Sequence, residues 1–140
     1  MYVLDTNVLS ALRRPDRAPK VADWLRAQSE EQLFLSVITF GEIERGIALQ
    51  ESRNPGFARD LRRWIDRTSL LFADRILPFG SEDARIWGKL SARIGHSGAN
   101  LQIAATALAQ GAIVVTGNTS DFEPTGVEIE NPFQISSLSP

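Results

Sequence analysis

Cysteine is absent from the 140 residues, and histidine occurs once, at His96. A disulfide framework, a thiolate metal site and a thiol nucleophile are therefore excluded, and a multi-histidine zinc site cannot form within one chain. Any metal ion must be held by oxygen. No apolar stretch approaches the roughly 18 residues that a membrane-crossing helix requires. The opening "MYVLDTN" carries an aspartate where a secretory signal would be greasy. Lysine is nearly missing too, with only Lys20 and Lys89 among 15 basic residues, so the positive charge is almost all arginine. No Pro/Gly/Ser-rich linker or low-complexity run breaks the chain, and the net charge of −2 offers nucleic acid no bulk electrostatic hold. What remains is the expectation of a soluble, cytoplasmic chain that does not enter a membrane. One domain is expected over residues 1–134, with a frayed tail at 135–140.

The pattern that is present alternates strands with helices. "YVL" is a short apolar run ending at Asp5, and "TNVLSALRR" after it has helical spacing up to Pro15. Pro19 opens a helix to about Gln28. "LFLSVI" reads as a second strand, followed by "TFGEIERGIALQ", where Thr39 and Glu42 have capping-box spacing and Ile43, Ile47 and Ala48 form a buried stripe. Helical spacing returns over 56–73 and again over 81–94, where Ala84, Trp87, Gly88 and Leu90 mark the apolar side. "RILPF" between them is a short strand. "NLQIAATALAQG" is a helix closed by Gly111, "AIVVT" a buried strand and "VEIENP" a final short strand. Such alternation predicts an α/β fold in which helices cover both faces of a parallel sheet.

In open parallel sheets, ligands sit beyond the carboxyl ends of the strands. Asp5, Glu42, Asn100 and Asp121 all pass that filter, because each follows a strand or begins the next helix. Each also has an ordinary structural reading. Asp5 and Asn100 are good helix caps, Glu42 can complete a capping box, and Asn118 and Asp121 can shape a turn. Arg59, Arg62, Arg63 and Arg67 lie within three turns of one helix, and the ordinary reading of such a run is a solvated face. Trp24, Phe40, Trp64, Phe72 and Trp87 read as core. The joint pattern of acids at one sheet edge is harder to dismiss than its parts. Two like charges about 4 Å apart at an effective dielectric near 20 repel by roughly 4 kcal/mol. Converged carboxylates therefore imply a divalent cation, and Mg²⁺ or Mn²⁺ is the match for oxygen donors that leave room for water and a phosphate.

The ordered segments "YVLDTNVLS", "LFLSVITFGEIERGI", "ANLQIAATALAQGAIVVTGNTSDF" and "VEIENPF" resemble the PIN-domain nucleases, and within them the VapC-type toxins of bacterial toxin–antitoxin pairs. The resemblance implies a three-layer α/β/α sandwich with a central parallel sheet. It implies an Mg²⁺-dependent endoribonuclease acting on a structured cellular RNA of the tRNA or rRNA class and held inactive by a VapB-type antitoxin. Homodimers, or a higher toxin–antitoxin assembly, are part of the same implication. Asp5 and Glu42 match the first two metal-binding acids and Asp121 the fourth, with Thr6, Asn7, Thr116 and Asn118 as supporting polar positions. Asn100 stands where the family carries its third acid.

That departure keeps one ligand oxygen, removes a negative charge and adds NH₂ donors. An impaired or inactive nuclease is the expectation, and the near-isosteric exchange in an otherwise intact site favours an introduced change over natural decay. The main alternative is a degenerate PIN domain that binds RNA or a protein without cleavage. A haloacid-dehalogenase phosphatase would need a second aspartate at Asn7, a receiver domain a lysine after "AIVVT", and a dinucleotide-binding fold a glycine-rich turn after "YVL". None is there.

Overall fold

The computed structural model describes residues 1–134, so the tail expected at 135–140 lies outside the described residues. Strand β1 (Tyr2–Leu4) leads through Asp5 into helix α1 (Thr6–Ala11), and a short 3₁₀ turn at Pro15–Arg17 precedes α2 (Pro19–Ala27). Next come β2 (Leu33–Ser36) and the hairpin of α3 (Val37–Arg53) and α4 (Pro55–Leu71). β3 (Ile76–Leu77), α5 (Ser81–Ile94), α6 (Ala99–Gln110), β4 (Ile113–Val115), α7 (Thr119–Phe122) and β5 (Ile129–Glu130) complete the order. All strand pairs are parallel and the sheet runs β3-β2-β1-β4-β5.

Strand alternation builds the two cores that flank this sheet. Leu4, Leu33, Leu35 and Val115 face a cluster with Val8, Leu9, Val21, Leu25, Ile47 and Ile65, which belongs to α1–α4. Val3 and Val114 point the other way, to Leu90, Ile103, Ala104, Ala107 and Phe122 on α5–α7. Successive side chains of a strand point to opposite faces, so one short β1 feeds both layers. The expected α/β/α sandwich with a central parallel sheet is thus the observed one. Trp64 and Phe72 are buried, while Trp24, Phe40 and Trp87 pack partly buried against the two cores.

Several local expectations change. β2 ends at Ser36, whose side chain accepts from the Ile38 amide at 3.0 Å, so Val37 and Ile38 start α3 and the Thr39/Glu42 capping box does not form. A favoured cap outweighs the strand propensity of two β-branched residues. Ala48 is exposed, leaving Ile43 and Ile47 as the buried stripe beside Thr39. On α5 it is Ala84 that is exposed and Asp83 that is buried, accepting a hydrogen bond from Thr106 at 2.9 Å. That bond gives the buried side chain a polar partner between α5 and α6. α1 stops at Ala11, α4 starts at Pro55 because the Asn54 side chain accepts from the Phe57 amide, and "TGNTSDF" contains a helical turn. In the arginine run, Arg62 grips Glu44 of α3 with two bonds of 2.5 and 2.8 Å, and Arg63 meets Asp60 at 3.4 Å.

The corrected burial of α3 is directly testable by urea unfolding. Ile47→Ala, at a position 2% exposed, is expected to cost about 2–5 kcal/mol. Ala48→Glu, one residue on, should stay within about 0.5 kcal/mol. A large loss from Ala48→Glu would contradict the burial described here.

Candidate active site

Asp5 is 2% exposed at the end of the central strand, and backbone pairing holds it there, with its amide donating to the Val115 carbonyl at 2.9 Å. Its Oδ1 accepts from the Thr6 amide at 2.8 Å, which is the capping role, and its Oδ2 accepts from the Thr116 hydroxyl at 2.8 Å. Thr116 Oγ1 in turn accepts from the Asn118 amide at 2.9 Å. Asp5 is thus a cap on one oxygen and a partner of the turn after β4 on the other.

The Thr6 hydroxyl joins α1 to α3. Glu42 Oε1 lies 2.5 Å and Thr39 Oγ1 3.2 Å from it, and its single proton goes to the carboxylate. Thr39 is fully buried behind this pair, a site neighbour that the capping-box reading hid. Its position three residues before Glu42, on the same helical face, is the signal that could have exposed it. On the other flank, Asp121 sits in α7 and its Oδ2 accepts from Asn100 Nδ2 at 3.2 Å, tying α6 to α7. The extra NH₂ of the amide is therefore used on a neighbouring acid. Asn7 is exposed on α1 and forms no side-chain hydrogen bond to the other site residues among the described residues.

The structure brings Asp5, Glu42, Asn100 and Asp121 to one sheet edge, with Thr6, Thr116 and Asn118 between them. Burial pushes the Asp5 carboxyl above its ordinary range; its two hydrogen bonds oppose this, and the charges of Glu42 and Asp121 add to it. No arginine or lysine forms an ion pair with these acids among the described residues. A groove lined by Val37, Gly41, Glu42, Arg45, Ala99 and Gln102 opens beside them.

The donors suit one kind of metal and not another. Among the described residues no three aspartate, glutamate, histidine or cysteine side chains close into a metal-holding group. With no cysteine and a single histidine, the donor set is a poor match for a dry, all-protein zinc cage. An open row of carboxylates, one of them buried, fits a hydrated Mg²⁺ or Mn²⁺, which keeps several waters and takes one or two carboxylates.

Because its pKa is raised, Asp5 binds its proton more tightly in the folded chain than in the unfolded one. Folding stability gained from that proton is present at low pH and is lost as pH rises through the raised value. Asp5→Asn keeps an acceptor for the Thr6 amide and removes the buried charge. It is expected to raise the urea midpoint at pH 7, with the gain over the parent shrinking as the pH is lowered toward the ordinary aspartate range. An unchanged or lowered midpoint at pH 7 would show that the hydrogen bonds outweigh the buried charge.

Comparison with known proteins bears on the family. The family model described as "PIN domain" matches residues 2–126. The chain is 40% identical over 147 residues to the VapC ribonuclease Y4jK of Sinorhizobium fredii, covering 96% of this chain and 99% of that protein. It is 34% identical over 139 residues to the toxin FitB of Neisseria gonorrhoeae, covering 95% of this chain and 99% of that protein. A solved structure of FitAB bound to an IR36 DNA fragment superposes with a TM-score of 0.82 at 34% identity, over 96% of this chain and 97% of that one. With sheet order, acidic edge and near full-length likeness in agreement, the chain belongs to the PIN domain family.

Proposed function

We propose that this chain is a metal-dependent endoribonuclease toxin of a toxin–antitoxin pair, impaired by the amide at position 100. The observation that carries the reading is Asp5, a buried carboxylate whose charge is opposed by burial and by the neighbouring Glu42 and Asp121, with no arginine or lysine ion-paired to the three among the described residues. The names of Y4jK, a VapC ribonuclease, and FitB, a toxin, support the nuclease and toxin parts.

Asp5, Glu42 and Asp121 would hold Mg²⁺ or Mn²⁺, and Asn100 would offer only a neutral oxygen. When bound, the ion supplies a water activated at neutral pH and polarises the scissile phosphate of RNA. The chain's own task is orientation. Thr6 and Thr116 aim the Asp5 oxygens, Thr6 also aims Glu42, and Asn118 fixes the Thr116 hydroxyl through its amide. Asn7, exposed at the same edge, would meet substrate or water. Asn100 binds Asp121 through its NH₂ and so withdraws one lone pair from the site.

The partner in this reading is a VapB-type antitoxin that places a basic side chain among the carboxylates and so replaces the metal's charge. The solved FitAB assembly on DNA supports such a partner. A homodimer or larger toxin–antitoxin assembly, a tRNA- or rRNA-class target and action in the cytoplasm complete the proposal. Among the described residues no helix is long and apolar enough to cross a membrane. The Asn100–Asp121 bond also favours a second reading, a PIN domain that binds RNA without turnover.

Asn100→Asp separates the two. Restoring the acid is expected to strengthen Mn²⁺ binding by calorimetry, and RNA cleavage with Mg²⁺ or Mn²⁺, by about 10–100-fold or more. Stronger Mn²⁺ binding without cleavage supports the non-cleaving reading. No change in either removes position 100 from the site.

A further inference from the structure

Next to the acidic edge the structure holds an aromatic ring that the proposed chemistry does not use. β5 is locked to the site loop by the Thr116 amide, which donates to the Glu130 carbonyl at 3.0 Å. Three residues beyond Glu130 comes Phe133. Its amide donates to Asn131 Oδ1 at 2.9 Å, closing a tight turn, and the intervening Pro132 is buried. The ring rests on Gly117, where a Cβ would come within 2.7 Å of Cδ2 and 2.9 Å of Cε2. Only glycine leaves room for it. Despite this seat the residue is 39% exposed.

A lone exposed phenylalanine is ordinary on a protein surface. Its fixing and its place are what distinguish this one. Gly117 lies between Thr116, which bonds Asp5, and Asn118, which bonds Thr116. In the order β2-β1-β4-β5 the acids that follow β2 and β1, Glu42 and Asp5, come first, and Phe133 follows the edge strand β5. Its seat on Gly117 puts the ring over the turn after β4, one residue from Thr116. An acid-lined site on a chain of net charge −2 gives an RNA strand little ionic affinity. Stacking supplies affinity that does not depend on charge, because unpaired bases lie flat on aromatic rings and every base has a π-face.

We propose that Phe133, seated on Gly117, is a stacking platform for an unpaired base of the RNA strand that crosses the acidic edge. This rests on the ribonuclease reading and adds to it a residue that binds the base rather than the phosphate. Fixed by the Asn131 turn and the glycine seat, the ring costs little further ordering when a base arrives. It selects for a single-stranded or splayed nucleotide at that position, since a paired base has no free face to offer.

The test uses the chain as it stands, with Asn100, and a short single-stranded RNA of mixed sequence, read by fluorescence anisotropy. A matched oligonucleotide with abasic sites keeps the backbone and lacks the bases. Phe133→Ala is expected to weaken RNA binding by roughly 5–100-fold. Phe133→Trp should retain binding, and Phe133→Leu, apolar without a π-face, should behave like the alanine variant. None of the three should alter binding of the abasic strand, and thermal unfolding shows whether each folds. Equal losses on both strands, full binding by Phe133→Ala, or rescue by leucine as good as by tryptophan would each overturn the stacking role and leave the ribonuclease reading standing. If the parent chain and its Asn100→Asp form both fail to bind RNA, the ribonuclease reading falls and this inference with it.

Discussion

The pairing of β1 with β4 is the constraint on which the rest depends. It carries Asp5 to the centre of the sheet edge, gives its amide to Val115 and sets its carboxylate against the Thr116 hydroxyl. A buried charge with like charges beside it is held there against its own desolvation and repulsion. The chain tolerates that cost because two cores, one on each face of the sheet, fix β1 through Val3 and Leu4. The buried charge and folding pull in opposite directions at one residue, and packing elsewhere decides the outcome.

The hydroxyls around this carboxylate form a second level of control. Thr6 and Thr116 each bond an acid, and each is fixed by an element of its own, α1 and the turn after β4. Threonine suits the task because a β-branched side chain has few rotamers to lose. Asn100 differs in kind. Its NH₂ donates to Asp121, so an amide and a carboxylate meet there through a hydrogen bond that ties α6 to α7.

How much of this could be read from residues alone varied by element. Alternating strands and helices, and the position of Asp5 after "YVL", were legible because strand alternation and helical spacing are local patterns. The start of α3 is not legible locally, because Thr39 and Glu42 have capping-box spacing and nothing nearby says that Ser36 caps first while Thr39 goes behind Thr6. Apolar character alone puts Ala48 and Ala84 on the buried side, yet alanine tolerates either side of a helix, and both are exposed. The buried Asp83 was invisible for the opposite reason, since a lone acid looks solvated until Thr106 is found across the helix pair.

By itself the sequence determined which donors the candidate site can offer: with no cysteine and a single histidine they are almost all oxygens, and an amide stands among the candidate acids. It also determined the layered class, through periodicities that hold within each short segment. Only the tertiary structure decided the strand order, which makes neighbours of Asp5 and Thr116 across 111 residues, and the turn that sets Phe133 on Gly117. The physical reason is range. Propensity and periodicity act over a few residues, whereas hydrogen bonds between distant segments exist only after the sheet has brought them together.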